Sequence, residues 1–378
     1  MTEPLSLQAI FTRHLDAYRT HHPLDARRLA VCRHLCTCRT AALGGLQLRC
    51  DQCPNAPVHY FSCRDRHCPQ CQQHASHRWC ERQQQHLLPV CYFHLVFTLP
   101  AALNGWVQLH PETIYRLLFG TVWATLKTFG GDPRRLGGEL GMSAILHTWG
   151  QTLTQHVHLH CLVPGGALDA AGEWQPARST YLFPVRALSR RFRGCLVSRL
   201  REAVQAGELP RITDPNEPQR TLGRLMQHEW VVYSRPALGE PRQVLDYLAR
   251  YTHRTAIGNH RLLSENDGQI RFRYKDYRDS GCTKVMALSI EEFMRRFLLH
   301  VLPKGLMRIR HYGFLANCCR RRKLAQIRAA LASPPPEPAS GQSQDTDHFF
   351  DGYPCNICHR GWLRPSGELA PQRGGGGG

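Results

Sequence analysis

The clearest alternation of polar and apolar positions in the chain lies between residues 155 and 164. Successive side chains of a β-strand point to opposite faces, so this alternation predicts a strand with one apolar and one polar face. The apolar face carries Val157, Leu159 and Cys161. The polar face carries His156, His158 and His160. A half-exposed strand is the simplest explanation, but alternation alone would not select histidine three times in succession. The pattern therefore indicates a metal site.

Strand geometry limits how many of these histidines can bind one ion. Positions i and i+4 lie about 13 Å apart, so two neighbouring imidazoles can share a divalent cation and a third ligand must come from elsewhere. Structural zinc sites favour cysteine and a closed shell, whereas two imidazoles leave positions open for a substrate. A second strand is predicted at residues 143–149 and is joined to the first by a hairpin, which makes His147 a candidate third ligand.

Other patterns predict a mixture of helices and strands. Strands are predicted at residues 92–100, 230–233 and 269–277, and helices at 111–129, 189–205 and 243–254. A capping box at residues 289–292 begins a further helix. The strand at 269–277 has one basic face, with Arg271 and Arg273. The helix at 243–254 carries Tyr247 and Tyr251 at positions i and i+4, on one helical face, where they serve either chemistry or ordinary packing.

Charge narrows the class of partner. The 378 residues include 48 Lys and Arg against 29 Asp and Glu, a net charge of +19. A chain this basic is expected to bind a polyanion. Arg308 and Arg310 belong to a basic cluster that suits phosphate contacts, although such clusters are often only solvated. No long apolar run or secretory leader pattern is seen, so we expect no membrane segment and a cytoplasmic, nucleoid-associated bacterial protein.

The 17 cysteines are predicted to bind metal or to be buried thiols rather than to form disulfides. Two CxxC knuckles, Cys50 with Cys53 and Cys68 with Cys71, have the spacing of one zinc ribbon. A second site could draw on a nearby group: Cys32, Cys36, Cys38, Cys63, His67 and Cys80. A lone knuckle follows near the C-terminus, formed by Cys355 and Cys358, with these candidate partners: His348, His359, or Cys318 with Cys319.

One reaction uses an open histidine-metal site, two tyrosines on one helical face and a basic surface. It is the metal-assisted transesterification of a DNA phosphodiester with tyrosine as the nucleophile. A phenol with a pKa of about 10 is weak at neutral pH. A divalent ion on the scissile phosphate stabilises charge in the transition state and lowers the demand on a general base. The phosphotyrosine link retains the energy of the cut bond, so the strand can be rejoined without ATP.

Longer motifs allow comparison with a known family. Those in the centre of the chain are Leu146-His-Thr-Trp-Gly-Gln-Thr-Leu-Thr154, His156-Val-His-Leu-His160, Tyr247-Leu-Ala-Arg-Tyr-Thr-His-Arg254 and Ala256-Ile-Gly-Asn-His-Arg261. Those on either side are Ser62-Cys-Arg-Asp-Arg-His-Cys-Pro-Gln-Cys71, Phe297-Leu-Leu-His-Val-Leu-Pro-Lys-Gly305 and Arg308-Ile-Arg-His-Tyr-Gly-Phe-Leu315. In this order, over residues 36–322, they resemble the rolling-circle transposases of the insertion-sequence-91 family, whose nuclease core belongs to the HUH endonucleases.

The resemblance implies an α+β fold. A small zinc-ribbon-like domain would precede a ferredoxin-like antiparallel sheet with helices, with the histidine strand central and a tyrosine helix facing it. It also implies nicking and rejoining of one DNA strand at transposon ends, through a 5′-phosphotyrosine intermediate and a free 3′-hydroxyl. Tyr247 and Tyr251 match the nucleophiles. His158 with His160 is the preferred metal pair, and His156 with His158 is the alternative.

The resemblance further implies Mg²⁺ or Mn²⁺ at the catalytic site and structural Zn²⁺ at the cysteines. For the third catalytic ligand, Gln243 competes with His147. The expected DNA is the single-stranded or hairpin transposon end together with target DNA. The expected contacts are made by Arg250, Arg254, Arg261, Arg271, Arg273, Arg308 and Arg310.

Composition and motifs together predict the domain boundaries. They are a zinc-binding domain at 1–88, the nuclease core at 89–265, a basic extension at 266–330, a flexible linker at 331–350, and a knuckle with a glycine tail at 351–378. A plasmid replication initiator or relaxase would share the histidines and tyrosine. A non-catalytic zinc-dependent DNA-binding protein is an alternative from another class. A two-histidine iron oxygenase is a poorer third, because it gives the zinc ribbon and net charge no role.

Overall fold

The structure is a computed structural model that describes residues 5–177, 181–237, 244, 254–332 and 352–372, with all side chains except those of residues 73–75, 77, 78, 80, 236 and 237. Several predicted site residues lie outside this description, namely Gln243, Tyr247, Arg250, Tyr251, His348 and the side chain of Cys80. The α-helices are α1 Leu7–His21, α2 Ala26–Thr37, α3 Pro69–Gln84, α4 Asn104–Leu109, α5 Pro111–Gly131, α6 Val185–Gln205, α7 Glu217–Met226, α8 Ile290–Leu298 and α9 Arg320–Ala330.

The strands form antiparallel sheets, so the predicted mixed α and β fold is confirmed. They are β1 Gly45–Cys50, β2 Val58–Tyr60, β3 Tyr92–Thr98, β4 Gly141–Trp149, β5 Gln155–Pro164, β6 Gly166–Leu168, β7 Trp174–Pro176, β8 Val232–Ala237, β9 Leu262–Asn266, β10 Gln269–Asp276, β11 Cys282–Ser289, β12 Ile309–Gly313, β13 Tyr353–Pro354 and β14 Trp362–Leu369. The predicted hairpin of residues 143–164 is the β4–β5 pair, and the predicted capping box is present, since Ser289 Oγ accepts from the Glu292 amide at 3.3 Å.

The chain divides into two compact units that do not follow the predicted boundaries. The first comprises Met1–Ala75, Ile257–Met294 and Pro338–Gly378, and the second comprises Ser76–Ala256 and Arg295–Glu337. Residue 265, where a boundary was predicted, lies within the first unit, and Arg13 and His14 of α1 both bind the Glu265 carboxylate on β9. The segment predicted as a separate knuckle at 351–378 lies in the same unit, where β14 pairs with β1.

In the first unit, β13, β14, β1 and β2 form one sheet and β11, β10 and β9 another. The second of these follows the predicted alternation along β10. Ile270 and Phe272 are fully buried, and the Phe272 ring meets Phe293 of α8 edge-on. Arg271 and Arg273 point away from this core and are exposed.

In the second unit, a five-stranded sheet has the order β12-β4-β5-β3-β8. The alternation of β5 decides its two faces. Val157 and Leu159 are fully buried in a large core with residues of α5 and α6, such as Leu118 and Phe192. Helices α5 and α6 therefore pack on one face of this sheet. The opposite face, which we call the histidine face, carries His94, His147, His158 and His160.

A smaller apolar cluster lies on the histidine face. It contains Tyr92, Ile145 and Leu162 from adjacent strands, together with Val244. Val244 is fully buried, and it marks the beginning of the segment predicted as the tyrosine helix. The strand predicted at 230–233 is β8, which begins at Val232 and continues to Ala237, because it pairs with β3 at the edge of the sheet.

Candidate functional site

Three histidines converge on the histidine face. His158 and His160 lie on β5, and His147 lies directly opposite His158 on β4. One ligand atom from each of the three lies within 4.8 Å of the others. The Nε2 atoms of His158 and His160 are 3.1 Å apart. Imidazole nitrogens that converge in this way can bind one divalent cation.

His156 does not belong to this group. The register between β4 and β5 shifts after His147, so that Trp149 pairs with Gln155. His156 is exposed, whereas His158 is only 9% exposed. His156 contributes its backbone carbonyl, which accepts a hydrogen bond from His158 Nδ1 at 2.8 Å. That bond selects the tautomer whose Nε2 lone pair can bind a cation.

His94 is a site residue that the sequence analysis missed. It lies on β3, next to β5, and its Nε2 is 2.9 Å from Nδ1 of His160. The two rings stack with their centroids 5.1 Å apart. When His160 Nδ1 donates this hydrogen bond, His160 Nε2 is unprotonated and can bind a metal. The only signal in the sequence was a histidine inside an otherwise apolar strand.

Burial favours the neutral form of His158 and His160. It lowers the pKa of His158 to about 4, with a further small effect of His156. Burial also lowers the pKa of His160 well below its usual range, and nearby positive charges, including that of Arg254, act in the same direction. Neutral imidazole is the form that binds metal, so no proton has to leave at neutral pH.

The end of β4 is fixed by aromatic and polar contacts. The Trp149 ring stacks on His147 with a centroid distance of 4.6 Å. The buried His300 donates from Nε2 to the Leu153 carbonyl at 3.0 Å and accepts at Nδ1 from Thr148 Oγ1 at 3.3 Å. Trp149 thus packs on the His147 ring, and His300 ties the end of β4 to the turn that follows it.

Four cysteines of the first unit form a compact group, the first cysteine cluster: Cys38, Cys63, Cys68 and Cys71. Cys38 Sγ lies 3.5 Å from Cys71 Sγ and 3.6 Å from Cys68 Sγ. Sulfurs around a tetrahedral zinc lie about 3.8 Å apart when the Zn–S bonds are about 2.3 Å long. The predicted ribbon is therefore wrong in its pairing, because Cys68 and Cys71 share a site with Cys38 and Cys63 and not with the knuckle at residues 50–53.

His67, predicted as a possible zinc ligand, lies outside the first cysteine cluster. Its Nδ1 binds one Asp65 oxygen at 2.7 Å, while His34 Nδ1 binds the other at 2.9 Å. The buried Asp65 carboxylate thus ties α2 to the loop that carries Cys63 and Cys68, so His67 supports the cysteines without binding with them.

Known proteins match the chain over both regions that carry these sites. Residues 10–99 match a family described as "Transposase zinc-binding domain", and residues 141–323 match one described as "Putative transposase". A protein of Sinorhizobium fredii named "Putative transposase y4qJ" is 45% identical over 371 residues, which cover 94% of this chain and 93% of that protein. The chain belongs to the IS91 family of transposases.

Another relative carries the name of its element. The "Transposase for insertion sequence element IS801" of Pseudomonas savastanoi pv. phaseolicola is 28% identical over 339 residues, covering 85% of this transposase and 79% of the relative. No solved structure matches the chain. Family membership confirms the resemblance seen in the motifs and implies an enzyme that acts on DNA. Across the described ranges, every helix is too short or too polar to span a bilayer.

The zinc-binding match includes the whole first cysteine cluster, so structural zinc fits these thiols. We expect Cys68→Ser combined with Cys71→Ser to remove one zinc per chain and to unfold the region around α1 and α2, since structural zinc supplies folding free energy directly. Zinc analysis and limited proteolysis of the full chain would measure both effects. Cys91→Ser, which changes an exposed thiol, is the matched control. Unchanged zinc content in the double variant would contradict the assignment.

Two arginines predicted to contact DNA are buried within the fold of this transposase. Arg261 donates from Nε to the Arg273 carbonyl at 2.8 Å and lies over the Phe272 ring. Arg308 donates from Nη1 to the Arg254 carbonyl at 3.1 Å. Both are only 9% exposed, and DNA contact by these two arginines stays a prediction.

A basic pocket of about 600 Å³ lies beside β12. It is lined by residues of α3, β12 and the start of α9 and of the segments next to them: Trp79, Arg82, Gln83, His86, Met307, Ile309, Arg310, His311, Asn317 and Arg320. None of these is acidic. Burial, followed by the charges of Arg320 and Arg328, lowers the pKa of His86 to about 4. Ile309 and His311 pair with Ile145 and Ser143 of β4, so the pocket adjoins the histidine face.

The second cysteine cluster consists of Cys50, Cys53, Cys355 and Cys358. The knuckle near the C-terminus thus meets the knuckle after β1. Of its predicted partners, neither His359 nor the pair Cys318 and Cys319 belongs to this group, and His348 lies outside the described residues.

Proposed function

We propose that this transposase cuts and rejoins single DNA strands at transposon ends by tyrosine attack, assisted by a divalent ion bound at His147, His158 and His160. The observation that carries the proposal is the convergence of three imidazoles on the histidine face. The residues that flank the predicted tyrosine helix, Val244 and Arg254, lie near these imidazoles. Gln243 stays an alternative third ligand.

The topology of the second unit supports a ferredoxin-like nuclease core. Leaving out the short elements α4, β6 and β7 and the helix α7, the order along the chain is β3, α5, β4, β5, α6 and β8. This is the β-α-β-β-α-β arrangement of the ferredoxin-like fold. In the sheet, the four strands have the order β8-β3-β5-β4, and β12 is added beside β4. The histidine strand β5 is therefore central, as the family resemblance implied.

The flanks of the tyrosine segment support its placement. Val244 packs with Tyr92, Ile145 and Leu162 on the histidine face. At the other end, the charge of Arg254 acts on His160. On the helix that the sequence predicts, positions 247 and 251 follow Val244 at i+3 and i+7 and share its face. We propose that both phenols face the histidines.

The proposed chemistry begins when one tyrosine Oη attacks the scissile phosphorus. The phenol gives up its proton to water as a new P–O bond forms. The bond to the 3′ oxygen breaks, and that oxygen takes a proton from water and becomes a free 3′-hydroxyl. A bound Mn²⁺ or Mg²⁺ would withdraw charge from the phosphate during this step. The three imidazoles favour Mn²⁺, because Mg²⁺ prefers oxygen ligands. Arg254, exposed and close to His160, would bind the phosphate and hold it in line.

We propose that the basic pocket holds the DNA strand next to the cleaved phosphate. Arg82, Arg310 and Arg320 line this pocket, and none of its lining residues is acidic. The Trp79 ring and Met307, which is 65% exposed, give the same pocket an apolar wall for a base. Phosphate oxygens and an unpaired base have the matching chemistry.

We expect Arg82→Gln combined with Arg320→Gln to weaken binding of a single-stranded transposon end. Each lost phosphate contact should lower the slope of log affinity against log salt by about 0.7. Fluorescence anisotropy at several salt concentrations measures this slope. The control is Arg186→Gln combined with Arg190→Gln, which removes the same charge from α6. An equal change of slope in the control would show that DNA affinity depends on net charge and not on the arginines of the pocket.

The test of the proposed function is incubation of the purified transposase with single-stranded oligonucleotides tiled across the ends of its element. Reactions contain Mn²⁺, Mg²⁺ or a chelator and are resolved on a denaturing gel. The expected result is a metal-dependent covalent protein–DNA band. Binding without cleavage at any end would favour a non-catalytic DNA-binding protein. A replication initiator or relaxase would share this chemistry, but the IS801 transposase relative favours transposition.

A further inference from the structure

The second cysteine cluster joins two knuckles that lie far apart in the sequence. Cys50 Sγ is 3.8 Å from Cys358 Sγ, and Cys53 Sγ is 3.7 Å from Cys355 Sγ. A disulfide would require about 2.05 Å. Four thiolates around a tetrahedral zinc lie about 3.8 Å apart, so the observed separations match a metal site.

Polar hydrogens around the second cysteine cluster point at sulfur. The amides of Gln52 and Gly361 donate to Cys50 Sγ and Cys358 Sγ, both at 3.4 Å. Asn55 Nδ2 lies 3.5 Å from the Sγ atom of Cys355. Such donors stabilise a thiolate over a thiol, and thiolates are the form that binds zinc.

Gly361 shows how tightly the two knuckles fit. A Cβ at this position would lie 2.6 Å from Cys50 Sγ and 2.6 Å from Asp51 Oδ1. Only glycine allows the C-terminal knuckle to approach this close. The same Asp51 oxygen accepts from the Trp362 amide at 2.9 Å, which aligns the beginning of β14 with the end of β1.

Little apolar surface holds this region together. Besides cysteines, the buried residues of its core are Leu48 and Leu363. Strand β14 pairs with β1 from Gly45 to Cys50, but strand pairing with so small a core is marginal without a further link. A metal ion supplies such a link in small folds.

We infer that Cys50, Cys53, Cys355 and Cys358 bind a second zinc ion, which fastens the C-terminal segment of the chain to its first strand. This ion is distinct from that of the first cysteine cluster, because two of its ligands lie beyond the family's zinc-binding domain at residues 10–99. The zinc ion thus links two segments of the transposase that lie about 300 residues apart in the sequence. The inference does not depend on the proposed nuclease chemistry.

Metal content of the full-length transposase tests this inference. Protein purified with reductant is analysed for zinc and iron by mass spectrometry. We expect two zinc ions per chain in the wild type and one after Cys355→Ser combined with Cys358→Ser. The matched control, Cys318→Ser combined with Cys319→Ser, should keep two. One zinc in the wild type, two zincs in the first variant, or iron at this site would overturn the inference.

Hydrogen exchange measures whether the zinc ion stabilises the pairing of β14 with β1. In the Cys355→Ser, Cys358→Ser variant, amides of β14 and β1 should exchange faster, while those of β4 and β5 keep their protection. If that variant loses both zinc ions, titration of the zinc-free wild type with Co²⁺ shows whether the protein has one thiolate site or two. Two separable tetrahedral thiolate spectra support the inference, and a single one overturns it.

Discussion

A transposase that carries both Tyr247→Phe and Tyr251→Phe is expected to form no covalent product with single-stranded DNA. The phenol oxygen is the atom that would bond to phosphorus, and phenylalanine keeps the ring while removing that oxygen. Loss of a nucleophile lowers the rate by a factor on the order of 10⁴ or more. DNA affinity should stay close to the wild-type value, because the basic surface is unchanged. Adduct formation on a denaturing gel, beside anisotropy of binding, measures both quantities.

The two single variants separate the roles of these tyrosines. If either phenol can make the first cut, each single variant keeps part of the adduct and only the double variant loses it. Tyr277→Phe is the matched control, because this phenol is 72% exposed in the turn between β10 and β11. Adduct formation by the double variant at the wild-type rate would show that another nucleophile acts.

Much of the second unit could be predicted because its signals are local. The alternation of residues 155–164 coincides with β5, and the predicted helix at 111–129 lies within α5. A period of two or of 3.6 residues is set by which face each side chain must bury, and the sequence shows it directly. The partner of His158 on β4 was also within reach, because a short hairpin brings neighbouring strands together.

The cysteines could not be assigned to the correct clusters from the sequence, because residues far apart in the chain form each cluster. Two knuckles close in sequence have the spacing of one zinc ribbon, and nothing in that spacing shows that Cys50 and Cys53 are bound elsewhere. The division depends on the pairing of β1 with β14, residues of which lie about 300 positions apart. The same holds for His94, because only the register of β3 against β5 brings it to His160.

The arginines show another limit of prediction from sequence, which concerns the exposure of individual side chains. Composition predicts a basic surface, but it does not show which guanidinium lies there. Arg261 lies over the Phe272 ring and binds a backbone carbonyl, whereas Arg271, the neighbour of Phe272 in the same strand, is exposed. Arginine stems and guanidinium planes pack on aromatic rings, so burial of a charge depends on contacts between segments.

Replacement of His158 or His160 by alanine is expected to abolish metal-dependent cleavage, and His156→Ala is expected to preserve it. His158 and His160 each point one buried, neutral imidazole nitrogen at the same place. Loss of a direct ligand should weaken Mn²⁺ binding by more than about 100-fold, since loss of an outer hydrogen-bond partner alone costs about 10–100-fold. His94→Ala, which removes such a partner, should fall in that lower range.

Calorimetric titration with Mn²⁺ measures these affinities without DNA, and thermal unfolding shows whether each variant keeps its fold. His156 is the matched control because it lies on the same strand and differs only in exposure and in the position of its ring. Its contribution to His158 is a backbone carbonyl, which alanine retains. Equal losses of Mn²⁺ affinity in His156→Ala and His158→Ala would instead favour His156 and His158 as the metal pair. In that case the bound metal would change the register at the beginning of β5.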